Sequence, residues 1–457
     1  SNKAAETLGG FQQASDLRVE VALRAIGSVH MSAAKKARSG SSPAPLPKIL
    51  FGTSALGNLF CEPKPEEKKA VVEQILKVMP TPLFDSAGKY GAGLALEELG
   101  RCLEELGVAP DNVLISNKLG WKRVPLTTPE PTFEPGAWVN LKNDAVQAIS
   151  YEGILECYKQ GNELLGKYES RIVSVHDPDE YLGAATGADD LAKRTSDVLG
   201  AYKALNELKA AGKVDSIGVG AKDIKVIELI VDNGIHLDWA MFACSITPYT
   251  HTEYARGLLS KLGAKGITVI NSAVFNAGFL IGGDHFDYRK ITKEEEPEKF
   301  IWRDKFTAAC KDYNVPPAAV CVQFSFLFPE ITSVALNTTQ PKRVQSNWDL
   351  TTTVIPLALW TRLKNEGLVA VGPKVTVRHS VMFKLIPEAT DTQVEGMVEA
   401  LKGMPYKIPQ MASIVCGRDK GLAAQGNHDF ALTVDFADAE GYQVYAAHPE
   451  HQRVIAE

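Results

Sequence analysis

The sequence lacks the charge excess and the long apolar runs that mark several common classes of protein. It has 49 basic and 55 acidic residues among 457, for a net charge of −6. That balance gives no electrostatic case for binding nucleic acid. No apolar run reaches the roughly 18 residues that a transmembrane helix needs. We therefore expect neither a nucleic acid nor a membrane among its partners.

Cysteines are scattered, and their number gives no disulfide framework. There are seven, an odd number, and no CxxC pair occurs. A reduced compartment is the default for such a chain, and we predict a cytoplasmic location. The first 47 residues are predicted to be an N-terminal extension that ends in a flexible basic linker. Organellar targeting by this extension is the alternative.

Short apolar runs alternate with amphipathic helical stretches from Lys48 onward. Between the runs, stretches such as LALEELGRCLEEL repeat apolar residues at steps of three and four, which is one face of a helix. Eight such βα units predict a (β/α)8 barrel, or TIM barrel, over residues 48–366. An open doubly wound sheet is the alternative, but no GxGxxG follows the first run. The runs are typical of buried parallel strands: KILFG, PLFDS, NVLIS, IVSVH, SIGVG, WAMFA, ITVIN and SVALN.

Two insertions and a change of pattern complete the organisation of the chain. Residues 121–140 follow the third strand and residues 281–300 follow the seventh. Both leave from the face where barrels carry active sites, so both are candidate substrate loops, with plain surface elaboration as the alternative. Beyond residue 366, VTVRHSVMFKL and DFALTVDF alternate as strands do, with the helical DTQVEGMVEALKGM between them. We predict a separate small α+β domain over residues 374–457.

Four polar residues stand at the ends of predicted strands. Asp85 and Tyr90 follow the second strand, Lys118 ends the third and His176 ends the fourth. A tyrosine, with a pKa of about 10, exchanges protons slowly at neutral pH, and a nearby lysine cation lowers that pKa. An aspartate holds the lysine, and a histidine orients a substrate oxygen. The four are predicted to be catalytic at a carbonyl or alcohol carbon, although any one alone is more often structural.

The residues around His176 superficially resemble a metal cluster. The sequence His-Asp-Pro-Asp at 176–179 has three potential ligands within four residues. Its spacing matches no standard zinc signature, and such tight spacing on a turn more often serves capping. We predict no metal.

With the barrel and the four residues in hand, the sequence resembles the aldo-keto reductases. The Asp, Tyr, Lys and His of that family match these four residues one by one. KILFGTSALGNLF and INSAVFNAGFLIGGDHFDYR further resemble the sugar 1-dehydrogenases that act on L-fucose, L-galactose and other D-threo-aldoses. The resemblance implies oxidation of an anomeric carbon to a lactone, with Tyr90 as acid/base and NAD(P) as cofactor. There are two alternatives: a general aldehyde or ketone reductase of the same family, and a catalytically silent barrel that acts as a binding scaffold.

The resemblance also implies a cofactor site. Asn337 stands where many relatives have the lysine that holds the 2′-phosphate of NADP, whereas Arg343 keeps the family's arginine, which still pairs with phosphate. The missing lysine slightly favours NAD over NADP. Gly220 and Ala221 replace a Ser-Asn pair that the family often uses. The residues implied at this site are Gly52, Thr53, Ser54, Asn271, Ser272, Asn337, Thr338, Arg343 and Asn347.

Substrate contacts are expected from both insertions. Trp121 and Trp138 offer flat apolar faces to a sugar ring. His285 in the second insertion is a candidate for the sugar hydroxyls, with a solvated loop as the alternative. The expected partner is thus a small-molecule sugar or aldehyde.

The C-terminal segment resembles the stress-responsive A/B barrel domain. VRHSVMFKL, HDFALTVDF and YQVYAAHPEH carry the similarity. The resemblance implies a ferredoxin-like domain that pairs sheet to sheet as a dimer, and we expect a homo-oligomer.

Overall fold

The structure is a computed structural model that describes residues 46–422 and 426–456. The predicted N-terminal extension lies outside this part of the chain, apart from its last two residues. The described residues form two compact units. One runs to Ala243 and adds Gly257–Ala273 and Glu330–Trp348; the other holds Cys244–Arg256, Val274–Pro329 and the residues from Asp349 onward. Within the described ranges, no helix combines the length and apolar character needed to cross a membrane.

Strands and helices alternate through most of the described chain. The strands are β1 (Ile49–Gly52), β2 (Leu83–Ala87), β3 (Leu114–Leu119), β4 (Trp121–Pro125), β5 (Asn143–Gln147), β6 (Ile172–His176), β7 (Ser216–Ala221), β8 (Trp239–Ala243), β9 (Thr268–Ser272), β10 (His285–Phe286), β11 (Arg289–Lys290), β12 (Ile331–Leu336), β13 (Val377–Phe383), β14 (Met411–Arg418) and β15 (Phe430–Phe436). The helices are α1 (Pro65–Val78), α2 (Leu94–Glu105), α3 (Tyr151–Leu165), α4 (Pro178–Gly183), α5 (Ala188–Ala210), α6 (Lys225–Asp232), α7 (Glu253–Ala264), α8 (Pro297–Asp312), α9 (Pro317–Ser325), α10 (Lys342–Asp349), α11 (Leu357–Asn365), α12 (Asp391–Gly403), α13 (Ala439–Ala447) and α14 (Pro449–Ala456).

Eight parallel strands of the first unit close into a barrel. They follow chain order around it, β1-β2-β3-β6-β7-β8-β9-β12, and β12 pairs with β1 to complete the ring. These are the eight strands predicted from the sequence, so the TIM barrel is confirmed and the open sheet is wrong. All seven cysteines lie in the described part of the chain and are free.

Some barrel strands change from apolar to polar along one face. Alternate residues of a strand share one face, so Leu83 and Asp85 point the same way on β2, as do Ile172 and His176 on β6. The apolar members at the strand starts pack in one buried cluster with Leu50, Trp239, Met241 and Ile270. Their polar counterparts near the strand ends are left together at the other end of the barrel interior. The apolar cluster therefore fills one end of the barrel interior, and the polar side chains lie at the other end, where barrels of this fold carry their active sites.

The first insertion is ordered around an antiparallel hairpin of β4 and β5. The chain between these strands packs against the loop after β1, because Leu59 forms a bridge with Trp138 and the Val139 N–H donates to the Asn58 carbonyl over 3.0 Å. The second insertion belongs to the other unit and contains the short β10–β11 hairpin.

The C-terminal residues form a three-stranded antiparallel sheet in the order β13-β15-β14. One face is covered by α12, α13 and α14, in a core that includes Leu401, Phe436 and Tyr445. A small α+β domain is confirmed. The apolar face is thus covered by the domain's own helices. Pairing of two copies through the other face of the sheet stays a prediction.

The C-terminal sheet also packs on neighbouring helices of the same unit. The Leu357 N–H at the start of α11 donates to the Pro409 carbonyl over 2.9 Å. The rings of Tyr313, just after α8, and Tyr406 stack with centroids 4.6 Å apart. The small domain is therefore not tethered by its linker alone.

Candidate active site

Three of the four predicted catalytic residues lie side by side on adjacent barrel strands. In the strand register, Lys118 on β3 pairs with Ala87 on β2 and with Ser174 on β6. Asp85 and His176 are each two residues from these pairing partners and share their faces. All three side chains are buried. The structure thus brings together at one end of the barrel the residues that the sequence placed at separate strand ends.

Asp85 and Lys118 form a buried ion pair. The Lys118 ammonium donates to one Asp85 carboxylate oxygen, and the Ser116 hydroxyl donates to the other over 3.0 Å. Burial disfavours the Lys118 ammonium, but the Asp85 carboxylate outweighs this effect and holds the lysine pKa above its usual value. Lys118 is therefore a permanent cation at this site.

Tyr90 lies in the turn after β2. The turn passes close to the loop after β1: Gly91 has φ +61°, and a Cβ there would lie 2.3 Å from the Gly57 carbonyl oxygen. Only glycine fits both requirements. The Lys118 ammonium lies 4.7 Å from the centroid of the Tyr90 ring. The turn therefore holds the tyrosine beside the buried lysine.

The pKa of Tyr90 differs from the sequence-based expectation. Burial raises it, and although Lys118 acts to lower it as expected, the net pKa stays above the ordinary value of 10. Tyr90 is therefore a neutral phenol at physiological pH. That state is ready to donate a proton, and it loses the proton only at alkaline pH.

His176 faces the edge of Tyr90. The two ring centroids are 5.6 Å apart and the planes nearly perpendicular. Burial, with the nearby Lys118 and Lys89 cations, outweighs the Asp177 carboxylate and lowers the pKa of His176 to about 3. The imidazole is therefore neutral, and its Nδ1 has no hydrogen-bond partner among the described residues. A neutral ring with an uncommitted nitrogen suits a hydrogen bond to a substrate oxygen.

Aromatic side chains from the first insertion form a wall next to Tyr90. Trp138 lies with its ring centroid 6.1 Å from that of Tyr90. Phe133 links it to Trp121, at centroid distances of 6.1 and 5.8 Å. The two predicted tryptophans are thus on the tyrosine side of the barrel. Phe133 completes the wall and was not predicted.

The predicted cofactor residues near β1 and β12 are connected. The Asn337 amide donates to the Ser54 hydroxyl over 2.6 Å, and Thr53 donates to the Ser86 hydroxyl over 2.8 Å. Gly52 pairs with Asp85 in the strand register. The turn after β1 therefore adjoins the ion pair and is held to the end of β12.

The remaining predicted cofactor residues lie at the ends of β9 and around α10. Asn271 is buried, and the Ser272 hydroxyl donates to the Phe242 carbonyl over 2.9 Å. Thr338 caps the turn before α10 by accepting the Gln340 N–H over 3.0 Å. Arg343 is exposed on α10, one turn before Asn347, and its guanidinium has no ion-pair partner in the described ranges.

His285 belongs to the second unit. It is exposed, and its Nδ1 lies 2.7 Å from an Asp284 carboxylate oxygen. Its contact with substrate stays a prediction.

The residues that follow His176 are engaged within the protein. Asp177 lies 3.0 Å from the Lys89 ammonium, and Asp179 accepts the Asp223 N–H over 2.8 Å. Across the described residues, no three His, Cys, Asp or Glu side chains are arranged to hold a metal ion.

Besides Phe133, sequence reasoning missed Ser116 and Lys89 and did not foresee the steric role of Gly220. Ser116 holds Asp85, Lys89 joins three carboxylates, and Gly220 leaves room for Lys118, because a Cβ there would lie 3.2 Å from the lysine Cδ. Ser116 had a usable signal, since it precedes Lys118 by two residues and so shares its face. Lys89 had none, because its partners lie far away in sequence.

Comparison with known proteins places this barrel in a family. Residues 48–365, more than half of the chain, match the Aldo/keto reductase family, and residues 377–457 match the Stress responsive A/B Barrel Domain. The protein belongs to the aldo/keto reductase family, whose members are oxidoreductases that use NAD(P)H. It carries the second domain at its C-terminal end.

Individual relatives are distant. A pyridoxal 4-dehydrogenase of Microbacterium luteolum is 26% identical over 357 residues, covering 75% of this chain and 100% of its own. A D-threo-aldose 1-dehydrogenase of a Pseudomonas species is 24% identical over 339 residues, covering 71% and 95%.

Solved structures support the fold alone. A holo aldo-keto reductase of Bacillus halodurans matches with a TM-score of 0.51 at 16% identity, covering 72% of this chain and 94% of its own. A glycerol dehydrogenase of Gluconobacter oxydans matches with 0.52 at 16% identity, covering 73% and 96%.

Proposed function

We propose that the protein is an NAD(P)-dependent aldose 1-dehydrogenase, which oxidises the anomeric carbon of a sugar such as L-fucose or L-galactose to a lactone. The observation that carries the proposal is the constellation of Tyr90 between the Lys118 cation and the neutral His176. It gives an acid/base group, a charge that tunes it and a group to orient the reacting oxygen. The barrel, residues 48–366, holds this chemistry.

The donor set at the end of the barrel fits the cofactor. Arg343 offers an exposed guanidinium without an ion-pair partner in the described chain, and such a group pairs well with phosphate. Thr53, Ser54 and Asn271 would lie under or beside the nicotinamide, whereas Thr338, Arg343 and Asn347 would hold the adenosine end. When bound, the nicotinamide exchanges a hydride with the substrate carbon.

The side chains of this protein handle the proton. In oxidation, the Tyr90 oxygen takes the proton of the hydroxyl on the carbon being oxidised; in reduction it returns one. Lys118 stabilises the phenolate, Asp85 keeps Lys118 charged and in place, and His176 orients the substrate oxygen. Because the pKa of Tyr90 is raised, oxidation is expected to quicken as pH rises, whereas reduction has its proton donor ready at neutral pH.

The substrate assignment rests on the aromatic wall and the relatives. Trp138 beside Tyr90 offers an apolar face to the C–H side of a sugar ring. One relative is named for D-threo-aldoses and another for pyridoxal. Absorbance of NAD(P)H with aldoses, pyridoxal and simple aldehydes tests the choice. A preference for simple aldehydes would favour a general reductase, and no binding of either cofactor would favour a silent scaffold.

We predict that the protein binds both cofactors, with NAD slightly preferred over NADP. Asn337 stands in place of a lysine, and a charge-assisted contact is worth about 1.5–3 kcal/mol, which corresponds to a factor of about ten or more. Calorimetric titration with both cofactors measures the ratio. Asn337→Lys should narrow it, and Asn337→Gln is the matched uncharged control. A tenfold preference for NADP in the unchanged protein would contradict the prediction.

We further propose that the enzyme acts in the cytoplasm. We also propose that two copies of the chain pair through the C-terminal domain, 374–457. The pairing surface is the outer face of its sheet, which is the face away from helices α12, α13 and α14. Met382 and Val415, 60% and 72% exposed, lie on that face among polar residues. Arg378 and Asp435 pair beside them.

Charges placed on this outer face should prevent pairing. In the full chain, Met382→Glu with Val415→Glu should convert a dimer to a monomer in sedimentation analysis without changing turnover, because neither residue belongs to the barrel. Val354→Glu, at a residue 66% exposed outside the sheet, is the control. A dimer that survives the double change would contradict this interface.

A further inference from the structure

A second buried lysine lies one residue before Tyr90. Lys89 is 3% exposed, and its ammonium is 2.9 Å from Glu134, 3.0 Å from Asp177 and 2.8 Å from Glu180. It also lies 5.1 Å from the centroid of the Trp121 ring. The three carboxylates come from separate segments: the first insertion, the end of β6 and helix α4. One cation therefore joins three parts of the barrel mouth.

We call the contacts from Lys89 through Glu134 to Trp138 the first arm of this cluster, and those from Lys89 through Asp177 to His176 the second arm. Glu134 uses one carboxylate oxygen for Lys89, and its other oxygen accepts the Trp138 indole N–H over 2.7 Å. Trp138 in turn lies against Tyr90. The position of the tryptophan that would contact substrate is thus tied to the backbone turn that carries the tyrosine.

The second arm leads to the histidine. The Asp177 oxygen that pairs with Lys89 also lies 3.4 Å from His176 Nε2. Asp177 adopts a left-handed backbone conformation, with φ +47°, which non-glycine residues adopt rarely. The ion pair with Lys89 therefore fixes this carboxylate next to the imidazole.

We infer that Lys89 is a positioning residue, which acts through Glu134 and Asp177 to fix Trp138 and His176 around the substrate position beside Tyr90. The inference rests on the proposed function and extends it to specificity. Lys89 itself is surrounded by carboxylates, so it does not contact substrate. Its removal should loosen one wall of the site and raise the pKa of the His176 imidazole.

Lys89→Met should change three measurable properties. The KM for the sugar should rise by about tenfold or more, because displacement of a positioning group has effects of that size, whereas cofactor affinity should stay unchanged. Trp138 fluorescence should shift as its indole loses the Glu134 partner. His176 should titrate at least about one pH unit higher, since a cation near it is lost and Asp177 is freed. The other groups that face His176, Lys118 and Tyr90, are unaltered.

Further variants separate positioning from folding. Lys89→Arg keeps the charge and should largely restore KM and the histidine titration. Glu134→Leu, at a side chain 39% exposed, removes both the partner of Lys89 and the acceptor of the Trp138 indole N–H, so it should shift Trp138 fluorescence and KM but leave the titration of His176 as it is. Lys122→Met removes an exposed ion pair between the same insertion and Glu156 on α3, and serves as the matched control.

NMR of ¹³C-labelled histidines measures the titration of His176, whose signal is assigned by its loss in His176→Gln. The contribution of Trp138 to the fluorescence is found by comparison with Trp138→Phe. Neither requires turnover, so a failure of the proposed reaction leaves both intact. We expect Lys89→Met, or Glu134→Leu should Lys89→Met not fold, to shift Trp138 fluorescence, and KM to rise for the sugar that the protein oxidises. Wild-type fluorescence in the folded variant, or fluorescence that does not return to the wild-type value in Lys89→Arg, would overturn the inference.

Discussion

Tyr90→Phe is expected to lower turnover by a factor of at least about 10², the usual size of a lost acid/base group. Phenylalanine keeps the ring that packs against Trp138 and His176 but removes the oxygen that exchanges the proton. Fold and cofactor affinity should therefore be unchanged. Steady-state rates with the best sugar, together with calorimetric titration of the cofactor, measure both quantities.

A matched control for that change is Tyr158→Phe. The Tyr158 hydroxyl donates to the Lys213 carbonyl over 3.1 Å on the outside of the barrel, and its loss should leave turnover unaltered. If Tyr90→Phe kept near-normal turnover, the proton would have to come from another group, and the proposed role of Tyr90 would be wrong.

Lys118→Met should act on both rate and pH dependence. Lys118 lowers the pKa of Tyr90 against the effect of burial, so its removal raises that pKa further, by about one to three units for a neighbouring charge. Because oxidation needs the phenolate, its rising limb should move to higher pH and the neutral rate should fall. A pH profile of the oxidation rate shows the shift.

The same change should destabilise the barrel. It leaves the buried Asp85 carboxylate without its cation, which typically costs about 3–5 kcal/mol. Urea unfolding measures this loss, and Asp85→Asn combined with Lys118→Met should recover part of the stability but not the rate. Lys122→Met provides the surface control. An unchanged pH profile with an unchanged rate would count against the role of Lys118.

The sequence predicted the barrel because its evidence is local. Each of the eight strands is a short apolar run next to an amphipathic helix, and the four site residues stand at strand ends, so the closed topology alone brings them together. The strand β14 was missed, because Val415 is exposed within it and Gly417 interrupts the side-chain pattern.

Features that depend on distant contacts could not be predicted. Lys89 is a surface-type residue by composition, and its burial depends on carboxylates 45 to 91 positions away. The raised pKa of Tyr90 likewise results from how completely the turn is enclosed, which no local pattern records. Whether the apolar face of the C-terminal sheet is buried depends on which helices pack against it. In each case tertiary packing determines the property.

The central claim is that the four-residue site performs nicotinamide-linked oxidation of a sugar. It is tested most directly by following absorbance at the NAD(P)H wavelength while the purified full chain is mixed with each cofactor and a panel of aldoses, beside the Tyr90→Phe variant. We expect NADH to accumulate with an aldose of the L-fucose or L-galactose type, faster at alkaline pH, and the variant to be nearly inactive. Absence of reduced cofactor with every aldose, or equal rates in both proteins, would contradict it.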